Sequence, residues 1–247
     1  MNKLINCFLT TLLAGLSTTL GIIPCLFKNI KKEKIISASL MFSSGVMITI
    51  SIISLIPESF KLLTYTFTKN QAVLVTLFLF STGIFIFKII NKNAQNNTKD
   101  KLYNLGILSL FTIIIHNLPE GIATFISTSS NPILGLKLAF AIALHNIPEG
   151  IAIAIPIYYS TKDLKKASLY TFISGLSEFI GALLTYLFLK NYITPLLQSI
   201  TLAITAGIMI NISISEFIPS SRNYNSKNSY VYFILGSIIM IITEIFI

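Results

Sequence analysis

The hexapeptide His116-Asn-Leu-Pro-Glu-Gly121 returns as His145-Asn-Ile-Pro-Glu-Gly150, and each copy lies inside a long apolar run. The two copies contain the only two histidines of the chain. In an α-helix, residues four positions apart lie one above the other on the same face, so each imidazole is stacked over the glutamate of its own copy. Two helices that bring these faces together would offer two imidazoles, two carboxylates and two amide side chains. The repeated motif therefore predicts a site for a divalent metal.

The composition indicates an integral membrane protein. Of the 247 residues, 53% are hydrophobic and only 11% are charged, with a mean hydropathy of +0.79; a soluble domain carries roughly 25% charged residues. Because about 20 apolar residues span the hydrocarbon core of a bilayer, we expect an all-α protein with eight transmembrane helices. Their predicted spans are 4–27, 35–57, 71–90, 105–128, 134–158, 167–189, 196–218 and 230–247. Little chain is left over, so residues 1–247 are expected to form a single transmembrane domain.

The net charge of +9 is distributed unevenly over the connections between the spans. Of the 18 Lys and Arg residues, 13 follow spans 1, 3, 5 and 7, and five lie on the opposite side. An excess of basic residues marks cytoplasmic loops, which predicts that both termini lie outside the cytoplasm. We therefore attribute the charge to orientation in the membrane and expect no nucleic-acid partner.

Cys7 and Cys25 both lie in the first span. Eighteen residues of helix separate them by about 27 Å, which is far beyond the reach of a disulfide. We expect both to be packing residues.

Two pairs of spans resemble each other in sequence. Residues 44–59 of the second span align without gaps to residues 206–221 of the seventh, with nine of 16 positions identical. Gly15-Leu-Ser-Thr-Thr-Leu-Gly21 in the first span matches Gly175-Leu-Ser-Glu-Phe-Ile-Gly181 in the sixth. The paired spans run in opposite directions in the predicted topology, so helices 1–3 and 6–8 would form an inverted repeat around helices 4–5. Inverted repeats with a site near the bilayer midplane are typical of transporters.

Buried acidic residues strengthen the prediction of a metal site. Glu120, Glu149 and Glu178 lie well inside their spans, where a charged side chain costs roughly 2.5–3.5 kcal/mol on insertion scales. No Lys or Arg lies at comparable depth, so a divalent cation would provide the missing positive charge. Pro119 and Pro148 interrupt the backbone hydrogen bonding beside the site. For Glu178, a structural hydrogen bond to a Ser or Thr is the alternative.

The ligand types limit the ion. Imidazole with carboxylate and amide oxygen suits zinc, iron, manganese or cobalt, whereas Mg or Ca would be bound by oxygen alone. Binding requires neutral imidazoles and ionised carboxylates, so uptake is expected to fall at acidic pH. A membrane-embedded metal hydrolase with zinc-activated water and a metal sensor are alternatives to a transporter. The hydrolase explains neither the repeat nor the duplicated motif, and the chain has no H-E-x-x-H pairing.

These motifs resemble the ZIP family of metal-ion transporters, and most closely its bacterial ZupT-like zinc transporters. The resemblance covers nearly the whole chain. It is strongest from His116 to Pro219, where residues 116–130, 143–152 and 174–178 look like the fourth, fifth and sixth helices of that family. It implies a binuclear centre in which Glu120 and Glu149 bridge two ions. His116 and His145 would complete one site, and Asn117, Asn146 and Glu178 would complete the other.

The resemblance also implies a function, which is the uptake of zinc, and often ferrous iron, manganese, cobalt or cadmium, into the cytoplasm across the plasma membrane. We therefore predict a transporter rather than an enzyme, with zinc or iron as transported ions and no cofactor. Its partners would be divalent ions and the lipid bilayer, and assembly as a homodimer is left open. With no Walker-type phosphate loop, movement would follow the ion gradient and the membrane potential.

The chain departs from the family pattern in two places. Residues 91–104 contain no histidine, where relatives often have a histidine-rich loop. Ser54 stands where relatives often have an acidic residue or a histidine before the proline of the second span. Both departures weaken the prediction of accessory metal sites outside the centre.

Overall fold

The computed structural model describes residues 2–27, 31–95, 100–189, 194–224 and 229–246. Every regular element in these residues is helical, and we name eight consecutive helices α1 to α8. The end of the last predicted span, at Ile247, lies outside the described residues. So do four of the basic residues used in the charge prediction, Lys28, Lys99, Lys190 and Lys227.

Four of the helices change their hydrogen-bonding pattern along their length. α1 is Asn2–Leu16 and continues as a 3₁₀ segment, Ser17–Leu26. α2 is Lys32–Ile50, followed by a π-helical segment, Ser51–Leu55, and by Ile56–Leu63. α6 is Leu164–Leu184 with the π-helical segment Thr185–Leu189. α7 is Pro195–Ile212, followed by the π-helical segment Ser213–Phe217 and by Ile218–Asn223. The other helices are α3, α4, α5 and α8, at Lys69–Gln95, Lys101–Ser130, Pro132–Thr161 and Ser229–Phe246.

The eight helices coincide with the eight predicted spans. Seven of them are long and apolar enough to cross a membrane, and the eighth is a shorter apolar helix, Ser229–Ile245. Its 18 helical residues extend for about 27 Å, close to the thickness of a hydrocarbon core. The outer surface carries large apolar side chains such as Phe78 and Phe140, which are 70% and 63% exposed. The prediction of an all-α, eight-helix membrane fold is confirmed, and the helices extend a few residues beyond most predicted spans.

A single residue connects α4 to α5, the two helices that carry the hexapeptides. The side chain of Asn131 caps α5 by accepting hydrogen bonds from the N–H groups of Ile133 and Leu134 at 3.0 and 3.2 Å. Pro132 then occupies the first helical position, where its missing N–H has no cost. Because the connection is so short, α5 turns back along α4, and the two hexapeptides come to lie side by side.

The helices pack as two groups of four. α1, α4, α5 and α6 contact one another extensively, and in the other group α2 packs on α8 and α3 on α7, with α2 also contacting α7. Within the first group, α1 meets α6 at Gly15 and Gly175, where a Cβ on either residue would overlap the carbonyl oxygen of the other. Such backbone contact is typical of small residues between membrane helices. α2 also contacts α5, which joins the two groups.

The aligned helices α2 and α7 run antiparallel and make matching contacts. Ser59 Oγ, near the end of α2, donates to the carbonyl of Ser199 near the start of α7 at 2.8 Å. The aligned Ser221 Oγ, near the end of α7, donates to the carbonyl of Ser37 near the start of α2 at 3.1 Å. The π-helical segments of both helices also occupy aligned positions. This arrangement agrees with the predicted inverted repeat.

Cys7 and Cys25 are buried and unpaired. Their exposed fractions are 1% and 3%, and each packs among apolar side chains. Both are packing residues, as predicted.

Candidate metal centre

α4 and α5 pack antiparallel, so the side chains of the two hexapeptides meet between the helices. Nε2 of His116 lies 3.1 Å from Oε1 of Glu120 in its own helix and 3.2 Å from Oε1 of Glu149 in the other. Nε2 of His145 lies 2.8 Å from the same Glu120 oxygen. The centroids of the two imidazole rings are 6.2 Å apart. Each motif therefore contributes to one shared cluster.

This cluster has the donor set of a divalent-metal site. His116, Glu120 and His145 each offer one ligand atom, and these atoms all lie within 4.8 Å of one another. Glu149 joins them through His116. The four side chains are buried, and Glu120 has the largest exposed fraction at 8%. Nitrogen and carboxylate oxygen converging in a buried space suit zinc and its neighbours in the first transition row.

Glu178 in α6 contacts the side-chain amide of the second hexapeptide. Nδ2 of Asn146 donates to Oε1 of Glu178 and also to the carbonyl of Ala14 in α1 at 3.0 Å. The hydrogen-bond partner of Glu178 is thus Asn146 and not the Ser or Thr of the structural alternative. Its second oxygen has no hydrogen-bond partner.

The amide of Asn117 has two orientations with different partners. In one, Nδ2 donates to the carbonyl of Ser174 at 3.3 Å, and Oδ1 faces the Ile113 carbonyl at 3.1 Å and Oε2 of Glu149 at 3.3 Å, so three acceptors meet. With the amide turned over, Nδ2 donates to the latter two oxygens. We favour the first orientation because turning the amide over would leave Oδ1 facing the Ser174 carbonyl oxygen at 3.3 Å. A cation between the oxygens removes the repulsion that the first orientation creates.

Buried polar atoms without a hydrogen-bond partner are concentrated at this centre. In the described part of the chain they include both ring nitrogens of His116, Nδ1 of His145 and one oxygen each of Glu120 and Glu149. His116 Nε2 and Glu149 Oε1 are within ion-pair distance, but they are not aligned as a hydrogen bond. An unsatisfied buried polar group costs about 1–3 kcal/mol. Several in one place indicate a site shaped for a ligand that accepts electron pairs.

Two glycines allow the neighbouring helices to reach the centre. A Cβ at Gly121 would overlap the Glu178 carbonyl of α6, and a Cβ at Gly150 would overlap the Thr18 carbonyl of α1. α6 and α1 therefore lie directly against the residues that follow Glu120 and Glu149. Without this close approach, the Glu178 side chain would stand farther from the Asn146 amide.

Comparison with known proteins decides the family of the chain. Residues 92–244 match the family model described as ZIP Zinc transporter. The "Zinc transporter ZupT" of Chlorobium chlorochromatii is 37% identical over 96% of this chain and 94% of the relative. That of Clostridium perfringens is 36% identical over 98% and 96%, and that of Streptococcus mutans is 35% identical over 97% and 97%. The chain belongs to the ZIP family.

Membership of the ZIP family confirms the resemblance recognised in the hexapeptides. ZIP proteins are transporters, so the chain is a multi-pass membrane transporter and not an enzyme. The hydrolase alternative explained the buried His and Glu residues equally well, and the family decides against it. The roles of the seven predicted ligands in this ZIP protein stay predictions. Short distances join five of them, His116, Glu120, His145, Glu149 and Asn117, and Asn146 contacts Glu178 separately.

Two further acidic residues of this ZIP protein lie apart from the centre. Glu58 is 46% exposed in its side chain and forms an ion pair with Lys61 at 3.1 Å, as an interfacial residue would. Glu216 is half-buried and accepts a hydrogen bond from Asn91 Nδ2 at 2.6 Å. Neither residue contacts the histidine cluster in the described structure.

The contributions of α1 and α2 to the centre of this ZIP protein were not predicted from the sequence. The carbonyl of Ala14 binds the Asn146 amide, and Oγ of Ser43 in α2 donates to the carbonyl of Pro148 at 2.6 Å. The match between residues 15–21 and 175–181 was the available signal, because it aligned α1 with the helix that carries Glu178.

Proposed function

We propose that this ZIP protein carries zinc into the cytoplasm through the centre formed by α4, α5 and α6. One observation supports the proposal above all others. Buried nitrogen and carboxylate oxygen atoms of His116, Glu120, His145 and Glu149 converge without satisfying one another, in helices long enough to cross a membrane. The names of the relatives, all zinc transporters, support zinc as the ion.

The proposed roles of the residues follow from their positions. Glu120 contacts both imidazoles, and Glu149 contacts His116 and faces Asn117. These contacts support the proposal that the two glutamates bridge two ions. His116 and His145 would complete one site. Asn117, Asn146 and Glu178 would complete the other. Three buried carboxylates would replace the water oxygens that a divalent ion loses on entering the protein. They do so at a depth where an unpaired charge is costly.

Ferrous iron, manganese, cobalt and cadmium belong to the same proposal as secondary substrates. Their ions accept imidazole and carboxylate together, whereas Mg²⁺ prefers oxygen ligands and keeps several waters. We propose zinc or iron as the transported ion, and no resident cofactor.

The proposal includes a location and an orientation. We propose a single transmembrane domain over residues 1–247 in the plasma membrane, with both termini outside the cytoplasm, in agreement with the distribution of Lys and Arg. The membrane potential then favours cation entry by roughly 2.3 kcal/mol per charge per 100 mV. A homodimer is compatible with the exposed apolar surface of α3, which includes Leu74 and Phe78.

The test is metal uptake by the purified protein in proteoliposomes that contain a metal-sensitive dye. Zinc, Fe²⁺, Mn²⁺ and Mg²⁺ are offered separately, and protein-free vesicles are the control. We expect zinc to enter, transition metals to compete with it, and Mg²⁺ to be excluded. Zinc binding to the purified protein without uptake would support the sensor alternative and contradict transport.

Zinc binding is expected to weaken in acid. Protons compete with the metal for imidazole nitrogen and carboxylate oxygen, so lowering the pH from about 7.5 to about 5.5, across the ordinary pKa of histidine near 6.5, should raise the zinc Kd by about tenfold or more. Isothermal titration calorimetry at both values measures this change. An unchanged Kd would exclude the two histidines as ligands.

A further inference from the structure

Thr18 in α1 has a buried hydroxyl group without a hydrogen-bond partner. Its exposed fraction is 0%, and Oγ1 has no hydrogen-bond partner. The hydroxyls on either side follow the usual helical pattern, since Ser17 Oγ donates to the carbonyl of Ala14 at 2.6 Å and Thr19 Oγ1 donates to that of Leu16 at 2.5 Å. The hydroxyl of Thr18 departs from this local pattern.

The backbone places Thr18 against α5 as it places Glu178 against α4. Thr18 and Glu178 are aligned in the match between residues 15–21 and 175–181. The carbonyl of Thr18 packs on Gly150, one residue after Glu149, and the carbonyl of Glu178 packs on Gly121, one residue after Glu120. The two residues therefore stand in equivalent positions beside the two bridging glutamates.

The surrounding hydrogen bonds repeat in the same way. Nδ2 of Asn146 donates to the Ala14 carbonyl in α1, and Nδ2 of Asn117 donates to the aligned Ser174 carbonyl in α6, at 3.0 and 3.3 Å. Ser177 Oγ donates to the carbonyl of Ser174 as Ser17 Oγ donates to that of Ala14. Glu178 lies beside Asn146 and Glu120. Thr18 therefore occupies the equivalent position beside Asn117 and Glu149.

We infer that the Thr18 hydroxyl is an additional oxygen donor to the divalent ion, on the side of the centre formed by Asn117 and Glu149. The inference rests on the proposed function. It accounts for a hydroxyl that is buried, unpartnered and located in the position equivalent to that of Glu178. A neutral donor also has a consequence for transport, because a fourth carboxylate would add negative charge to the three already present and would hold the ion more tightly.

The test compares Thr18→Val, which removes the hydroxyl and keeps the shape, with Thr18→Ser, which keeps the hydroxyl. Thr19→Val is the matched control, since it removes a neighbouring hydroxyl that is already satisfied by Leu16. We expect Thr18→Val to raise the zinc Kd in calorimetry, and the KM of uptake, by about tenfold. Thr18→Ser and Thr19→Val should keep the wild-type Kd and KM.

Thermal unfolding without metal separates a ligand role from a structural one. Removing an unsatisfied buried hydroxyl relieves its desolvation cost, so the Tm of metal-free Thr18→Val should equal or exceed that of the wild type. A lower Tm with an unchanged zinc Kd would assign Thr18 to packing and overturn the inference. If Thr18→Val does not insert, Thr18→Ala replaces it, with the same expected loss of affinity.

A gain of charge gives the opposite result and a separate check. Thr18→Glu should lower the zinc Kd and also lower kcat, because the ion is released more slowly. An unchanged Kd in both Thr18→Val and Thr18→Glu, with normal zinc uptake by the wild type, would overturn this inference alone. Absence of uptake by the wild type would instead contradict the proposed function.

Discussion

Zinc uptake by Glu149→Ala is expected to fall by about 100-fold or more, to the background of protein-free vesicles. Glu149 is fully buried, lies 3.2 Å from Nε2 of His116 and faces Oδ1 of Asn117, so its loss removes one of the two carboxylates that both proposed ion sites share. Metal affinity falls 10- to 100-fold even when only a supporting residue around a ligand is lost. Uptake of zinc into dye-loaded proteoliposomes measures the effect, and Glu149→Gln tests charge at nearly constant shape.

The matched control for this variant is Glu58→Ala. It also removes one carboxylate from a membrane helix, but that carboxylate is 46% exposed and paired with Lys61, so we expect uptake near the wild-type rate. Metal-free Glu149→Ala should be at least as stable as the wild type, since a buried carboxylate without a cation is costly. Normal zinc uptake by Glu149→Ala in folded, inserted protein would remove Glu149 from the site.

Gly121→Ala is expected to destabilise the protein by about 1–3 kcal/mol and to weaken zinc binding as well. In an ordinary helix interior this change stabilises by about 1 kcal/mol. Here the new methyl group would overlap the Glu178 carbonyl, so α6 must move away and take the Glu178 carboxylate with it. Thermal unfolding in detergent measures the stability, and calorimetry measures the zinc Kd.

Gly106→Ala is the control within the same helix. A Cβ at Gly106 would overlap the buried Ile157 side chain, whereas the obstacle at Gly121 is the backbone of α6 beside Glu178. We therefore expect Gly106→Ala to lower the Tm less than Gly121→Ala and to leave the zinc affinity unchanged. A Tm for Gly121→Ala above the wild-type value would mean that the approach of α6 to α4 is not tight at this point.

Local rules were sufficient for the helices and for the first half of the site. The length of the apolar runs located all eight helices, and the four-residue spacing of His116 and Glu120 placed both on one face of α4. The pairing of the two hexapeptides was also predicted, and the single residue that joins α4 to α5 in the structure accounts for it. These features depend on neighbours in sequence, which is the information that a single chain carries most directly.

The remaining parts of the site depend on contacts between distant segments. The bond from Asn146 to the Ala14 carbonyl requires α1 to approach α5, and that approach depends on glycines whose packing partners no spacing rule identifies. The 3₁₀ continuation of α1 and the π-helical segments of α2, α6 and α7 were likewise not predicted. They reflect the packing of whole helices, which can override local preference.

The two buried thiols have a practical consequence for following this transporter at work. Cys7 and Cys25 are the only cysteines in the chain, and with 1% and 3% of their surface exposed they are shielded from water-soluble maleimides. The native protein thus offers a silent background for single-cysteine labelling. A cysteine introduced at Lys61, whose side chain is 64% exposed, would report from which side of a sealed vesicle a membrane-impermeant reagent reaches the end of α2.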